Sequence, residues 1–320
     1  MNVTSSAVGE ALTAQPVGLI MNPTAGRWLT AVFHQYLPDL FRLHGCVPQV
    51  HWTEGPGHAT VLARQLAPQV RLLVAVGGDG TVSEVARGLA GTDCPLGIIR
   101  GGTANMLAKE LGIPANPLQA VPALLHWKVR RIDLFRVNGV LGVVVAGAGL
   151  DGAITRWMKG VRRGHIGYLT YLEGLRRELH RSPPPRLEVV VDGRRLADPY
   201  QVIITNARLY AGFFPIAPKN RPDDGLLEVF SFTGGGRYRP YKHLAALALG
   251  QQGRLKDVSH ERATRITVCT GEDVPYQVDG DFAGTGSFVV EVVPGALAVV
   301  AARSGRGQGK RRESFPGKSP

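Results

Sequence analysis

The chain has 320 residues, enough for about two domains with buried cores, and its 44% apolar and 19% charged residues exclude disorder over the whole length. Its 41 glycines and 22 prolines, without a collagen-like period, predict many tight turns. The net charge of +12, from 37 basic and 25 acidic residues, points to phosphate-bearing partners: nucleotide, nucleic acid or an anionic membrane surface.

The opening MNVTSSAVGEALTAQPVG has neither a basic n-region nor a long apolar h-region. Strand and helix signals then alternate. Val17 to Met21 reads as a strand, Leu29 to Leu43 as a helix stopped by Gly45, Val47 to Thr53 as a strand, and Gly57 to Ala67 as a helix stopped by Pro68. Arg71 to Val76 is a third strand. Val82, Val85, Ala86 and Leu89 then mark one face of a helix, and Leu96 to Ile99 a fourth strand. In the following GGTANMLAKELGIP, Thr103 is the expected N-cap and Gly112 with Pro114 the stop. Such alternation predicts an open parallel sheet with helices on both faces, whose ligands lie outside the carboxyl ends of the strands. Three small-residue loops fall at those ends: Asn22 to Gly26, Gly77 to Thr81, and Gly101 to Thr103. Their N–H groups and the helix N-termini behind them suit phosphates, although any one such loop is also an ordinary tight turn.

The longest apolar run, Gly139 to Leu150, is too short to cross a bilayer. Beyond about Lys128 to Asp133 the runs become short, β-branched and punctuated by Gly, Pro and Asp: 187–191, 201–205, 226–232, 264–269, 276–278 and 288–293. Only Ile166 to Leu179 and Tyr241 to Gln251 look helical, so a mainly antiparallel β-sandwich is expected. Gly147, Gly149 and Gly152 form GxGxxG with Glu173 about twenty residues on. That acidic residue sits in a helical pattern rather than at a strand end, so a dinucleotide site is rejected. Cys46, Cys94 and Cys269 stand far apart, against a disulfide framework or zinc site and in favour of a reducing compartment. No HExxH or GxSxG occurs. From Arg303 the chain reads RSGRGQGKRRESFPGKSP, a basic segment expected to be disordered that carries five of the twelve charge units. The folded excess is therefore moderate, and nucleic acid is not expected as a partner.

Two acidic clusters remain. Asp223-Asp224-Gly225 reads from its residues as a solvated Asp-Gly turn entering a strand. Asp279-Gly280-Asp281 is either a pair of carboxylates facing one way on an extended segment or an Asp-Gly hairpin.

GGDGT directly after an apolar strand, with NPTAG upstream and GTANMLAKELGIP downstream, resembles the catalytic domain of diacylglycerol- and sphingosine-type lipid kinases, closest to the soluble bacterial ones. The resemblance runs from about Val17 to Arg303. NAD kinases share GGDGT but follow it with an asparagine–glycine stretch that is missing here. The resemblance implies an NAD kinase/phosphofructokinase-like α/β nucleotide-binding domain over 15–130. It also implies a β-sandwich lipid-substrate domain over 131–295, with strand 296–302 returning to the first and a tail over 303–320. It implies ATP held by Asn22, Pro23, Thr24, Ala25, Gly26, Thr53, Gly77, Gly78, Asp79, Gly80, Thr81, Val82, Ser83, Glu84, Gly102, Thr103 and Asn105. GAGLDG (147–152) would line the cleft between domains. Mg²⁺ would bridge the phosphates to carboxylates such as Asp79 or Asp279, and a structural Mg²⁺ would bind Asp224 with the backbone of Arg221 and Leu226. Asp281, assisted by Asp279, would take the proton from the lipid hydroxyl. Two positions depart from the family pattern: Met106 stands where many relatives have aspartate, and Asp281 where the usual residue is glutamate. Diacylglycerol is the first substrate implied, with a sphingoid base or another lipid alcohol, an NAD kinase-like reaction, or a non-catalytic nucleotide- or lipid-sensing module left open. A lipid substrate implies a cytoplasmic protein docked peripherally on an anionic membrane. Phe213-Phe214 or Trp157, flanked by Arg156, Lys159, Arg162 and Arg163, would face the membrane; a homodimer is left open.

Overall fold

A computed structural model describes residues 16–24, 31–161, 173–178, 185–234 and 238–302. Ala25, Gly26, Arg162, Arg163, most of the helix expected at 166–179 and the basic tail lie outside the described residues.

The first half alternates as expected: Val17–Met21 (β1), Ala31–Leu43 (α1), Pro48–Trp52 (β2), His58–Leu66 (α2), Leu72–Gly77 (β3), Asp79–Leu89 (α3), Leu96–Arg100 (β4), Met106–Glu110 (α4) and Pro117–His126 (α5). Strands β2, β1, β3 and β4 pair in parallel in that spatial order. Every residue of β1 and β3 is buried, because helices cover both faces and leave no solvent side to alternate with. Helix α5 was not expected. Its signal is Asn116-Pro117: Asn116 Oδ1 accepts the Leu118 N–H at 3.0 Å, and Pro117 opens the helix.

The second half contains Lys128–Val137 (β5), Val140–Gly142 (β6), Val145–Gly149 (β7), Leu150–Val161 (α6), Glu188–Val191 (β8), Arg194–Arg195 (β9), Gln201–Thr205 (β10), Leu209–Tyr210 (β11), Phe214–Pro215 (β12) and Leu227–Phe232 (β13). Arg239–Ala248 (α7), Val258–Ala263 (β14), Arg265–Cys269 (β15), Pro275–Val278 (β16), Asp281–Thr285 (β17) and Phe288–Ala301 (β18) follow. A six-stranded antiparallel sheet runs β14-β13-β10-β7-β16-β17. The larger sheet continues from β4 through β18, β15, β8 and β9, with β5 also on β18. The two sheets enclose a second core of Phe135, Val189, Val202, Val229, Ile266 and Phe288. The architecture is thus a mostly parallel α/β layer joined to an antiparallel β-sandwich.

Strand β18 belongs to both parts. Its first half pairs with β15, and its end reaches β4 in parallel at Val299↔Leu96. Between them the register against β5 shifts after Val293, at Gly295 with φ +56°, and Asp133 accepts the Gly295 N–H at 2.7 Å. Helix α6 was not expected either; Gly149 ends β7 and Gly152 lies in the first turn of the helix. These glycines permit close packing: a Cβ would fall 2.1 Å from the Tyr200 carbonyl at Gly149 and 2.0 Å from the Pro275 carbonyl at Gly152. Gly149 thus lets β7 lie against β10, and Gly152 lets α6 lie against β16.

Candidate active site

The carboxyl ends of β1, β3 and β4 meet. Asn22 N–H donates to the Val76 carbonyl at 3.1 Å and Gly101 N–H to that of Gly77 at 2.8 Å. A Cβ on Gly102 would stand 2.7 Å from Gly78 Cα, so the two loops touch backbone to backbone and only glycine fits. Asn22 Nδ2 donates to Thr81 Oγ1 at 3.1 Å, and its Oδ1 accepts from Thr24 N–H and Oγ1 at 2.9 Å. Pro23 lies in the same turn, and the Thr53 N–H is held by the Met21 carbonyl at 3.0 Å. Thus Asn22, Pro23, Thr24, Thr53, Gly77, Gly78, Gly80, Thr81 and Gly102 gather at one edge, with Val82 and Ser83 buried in the first turns of α3.

Three residues at this edge have roles that the sequence did not show. Glu84 accepts the Gly57 and Ala59 N–H groups at 2.8 and 3.2 Å, so it caps α2 instead of reaching a nucleotide. Thr103 is exposed and is not the N-cap of α4; that place belongs to Asn105, at φ +48°. Asn105 also closes the loop on Gly102, accepting its N–H at 2.9 Å and donating to its carbonyl at 2.7 Å. The carboxylate that caps α4 comes from Asp79, which accepts the Asn105 and Met106 N–H groups at 2.8 and 2.5 Å. Burial pushes the Asp79 carboxyl above its ordinary range, opposed by these two donors and by Lys109. The backbone N–H of Met106 thus meets a carboxylate from α3 where many relatives are expected to carry their own.

Helix α4 also ties this edge to the sandwich. Lys109 Nζ donates to the Gly212 carbonyl at 2.8 Å, and Arg208 grips Glu110 through its N–H, Nε and Nη2 at 2.8–2.9 Å. Gly212, at φ +82°, lies so near Ala104 that a Cβ would meet its carbonyl at 2.8 Å.

Asp279 and Gly280 form a two-residue hairpin turn with φ +55° and +86°, so the plain hairpin reading is correct for the backbone. The Asp279 carboxylate is buried. It accepts Val143 N–H at 3.0 Å, Val144 N–H at 2.8 Å and Arg87 Nη2 at 2.8 Å. A carboxylate so enclosed is not presented to a phosphate-bound metal, which corrects the bridging expected of Asp279, and it can assist Asp281 only through the backbone of the turn. Asp281 opens β17 on the exposed side, two residues beyond this anchor.

The Asp223-Asp224-Gly225 corner does not fit a structural Mg²⁺. Asp224 Oδ2 pairs with the Arg262 guanidinium, and Oδ1 accepts the Leu226 N–H at 3.3 Å. A cation therefore already neutralises this carboxylate. Asp133, not a metal, organises the turn by accepting the Gly225 N–H at 2.6 Å, while the Pro222 carbonyl accepts Asp133 N–H at 2.7 Å. Among the described residues no cluster of three His, Cys, Asp or Glu side chains could hold a metal. Asp224, expected to join the Arg221 and Leu226 carbonyls around Mg²⁺, is paired with Arg262 in this structure.

On the outer face of the six-stranded sheet lies a small crevice of about 30 Å³, lined by Leu150, Ile154, Leu175, Phe232, Leu244 and Leu247 with the hydroxyl-bearing Tyr200 and Tyr210. The Tyr210 hydroxyl donates to the buried Asp151 at 2.5 Å. Phe213 is 42% exposed, whereas Trp157 is half-buried with Arg177 over its ring at 6.0 Å. Among the described residues no helix is long and apolar enough to cross a membrane.

The comparisons with known proteins agree with this construction. Residues 16–137 match the diacylglycerol kinase catalytic domain, and 142–301 match the YegS C-terminal NAD kinase beta sandwich-like domain. A diacylglycerol kinase of Mycobacterium tuberculosis is 33% identical over 273 residues, covering 82% of this chain and 87% of that protein. One of Bacillus subtilis is 30% identical over 283 residues, covering 85% and 92%. The crystal structure of a diacylglycerol kinase from Bacillus anthracis superposes with a TM-score of 0.74 at 24% identity, covering 91% of this chain and 98% of that one, and so shares the fold. An α/β layer whose strands end in three touching small-residue loops, joined to such a sandwich, is the class of fold these matches define. Within that class, the chain belongs to the diacylglycerol kinase family.

Proposed function

We propose that the protein transfers the γ-phosphate of ATP to the hydroxyl of diacylglycerol, giving phosphatidic acid. The observation that carries this reading is the meeting of the Asn22–Thr24, Gly77–Thr81 and Gly101–Asn105 loops in a chain of this kinase family. Backbone N–H groups there, with the N-terminus of α3, suit the nucleotide phosphates. The magnesium that accompanies ATP would neutralise phosphate charge. Asp281, exposed and next to a rigid turn, takes the hydroxyl proton as the alcohol oxygen attacks the γ-phosphorus and ADP leaves. The shorter Asp281 carboxylate, in place of glutamate, requires the acceptor oxygen to come closer by about one C–C bond. A lipid acceptor also implies transient docking on an anionic membrane, for which the exposed Phe213 and the cations Arg156 and Lys159 on α6 are the described candidates.

The test is transfer from labelled ATP to diacylglycerol, a sphingoid base and ceramide in mixed micelles, with NAD as the soluble control. Labelled phosphatidic acid is the expected product. Labelling of NAD alone, or of no acceptor, would overturn the reading.

A further inference from the structure

We infer that Arg87 is the positioning residue for proton acceptance by Asp281, acting through the buried carboxylate of Asp279; the inference rests on the lipid-kinase reading above. Arg87 lies in the last turn of α3, the helix that begins at Asp79 in the phosphate-facing loop. A helical cation at this end is ordinarily a solvated complement to the helix dipole. Here its guanidinium instead makes two directed bonds into the sandwich. Nη2 donates to Asp279 Oδ2 at 2.8 Å and Nε donates to the Leu141 carbonyl at 2.7 Å. Leu141 lies in β6, just before Val143 and Val144, whose N–H groups donate to the same Asp279. One planar fork thus joins the two segments that the carboxylate bridges, which a point-charge ammonium cannot reproduce.

The consequence falls on Asp281. Asp279 is held in the left-handed region, unusual for a residue with a side chain, and its N–H donates to the Val145 carbonyl at 2.7 Å. The next N–H, of Gly280, donates to Gln277 Oε1 at 2.7 Å, while Gln277 Nε2 donates to Asp151 at 2.8 Å. Every group before Asp281 in the turn is therefore fixed, and the direction in which Asp281 leaves the turn is fixed with it. Because α3 carries the phosphate-facing loop at one end and Arg87 at the other, a single rigid element references the proton acceptor to the phosphate donor. Asp279 touches no substrate in this arrangement, and Arg87 is its only guanidinium partner among the described residues.

The test is a double-mutant cycle of Arg87→Met and Asp281→Asn in the full chain, assayed with Mg-ATP and diacylglycerol mixed micelles, together with amide exchange over 278–282. Arg87→Met is expected to lower kcat about 10²-fold, the order expected of a displacement near 1 Å. The KM for ATP stays unchanged, and exchange in the hairpin quickens. In the Asp281→Asn background the same substitution adds no further loss, because the group it positions is already gone. Arg87→Lys, which keeps the charge and loses the fork, should recover part of kcat; if Arg87→Met does not fold, this variant and its double with Asp281→Asn carry the cycle. Multiplying losses in the double variant, or wild-type kcat per folded molecule in the single one, would overturn the inference while Asp281→Asn remains slow. Wild-type turnover in Asp281→Asn alone would instead remove the lipid-kinase base assignment, and the positioning role with it.

Discussion

The sandwich has two Asp-Gly corners that look alike in sequence and behave differently. At 279–281 the first aspartate is buried and bound by two backbone N–H groups and Arg87, and the next acidic residue is exposed. At 223–225 both aspartates lie at the surface, paired with Arg130, Arg221 and Arg262, and the buried strut is supplied from β5 by Asp133. In both corners a desolvated carboxylate shapes the turn by accepting amides, as buried charge requires. The difference lies in the exposed neighbour's setting: Asp224 pairs with Arg262, whereas Asp281 follows a turn anchored to the helix that begins at Asp79. A pair of carboxylates thus splits into a scaffold member and a candidate chemical member according to burial.

The strongest challenge to that division is Asp281→Ala. It should lower phosphoryl transfer about 10²–10⁴-fold, the usual contribution of a positioned base. Its thermal midpoint should match wild type, since the residue is exposed; labelled-ATP assay beside calorimetry reads both. Asp279→Ala should act on both readouts, destabilising the fold by about 3–5 kcal/mol because Arg87 and two N–H groups lose their partner, and slowing turnover because the turn before Asp281 loses its anchor. Chemical denaturation measures this, and an unaltered midpoint would contradict the scaffold role. Asp79→Ala should cost about 1 kcal/mol as a lost helix cap, with activity lost as the loops at 77–81 and 101–105 separate. Retained activity per folded molecule would show that the cap does not hold the nucleotide edge.

The smaller effects concern charge. Arg262→Ala should cost about 1–3 kcal/mol, because its Nε also faces the buried Glu228 carboxylate at 3.3 Å. EDTA should leave the midpoint of the nucleotide-free wild-type protein unchanged; a fall on chelation would restore a metal to Asp224. His243 gives the pH dependence. Its Nδ1 is bound to the Tyr200 hydroxyl at 2.7 Å, and burial holds its pKa below the ordinary value, with Asp257 opposing. The unfolded chain therefore binds the extra proton first. Stability from this residue is complete above about pH 6.5 and is lost as pH falls toward the lowered folded pKa. Thermal melts from pH 7.5 to 5.5 should slope less steeply in His243→Gln; parallel slopes would exclude His243 as the source.

Much of the site edge was legible in the sequence because its cause is local. Glycines that must lie at strand ends, β-branched runs and helical periodicity state their own geometry, which is why GGDGT, NPT and GGT could be placed at the carboxyl ends of β1, β3 and β4. Helices α5 and α6 were not expected: Pro122 stands inside the first, and Gly152 and Gly160 stand inside the second. The roles of Glu84, Asp79 and Asp279 were also beyond reach, since each carboxylate is claimed by amides 25 or more residues away.

By itself the sequence determined the parallel α/β layer, the antiparallel character of the second half and the residues that could carry phosphate chemistry, all of which follow from period and residue type. Tertiary structure decided which of those residues are exposed and which are fastened. A carboxylate's chemistry depends on whether water, an amide or a guanidinium occupies its lone pairs, and at Asp279 and Asp224 those partners come from distant strands and helices.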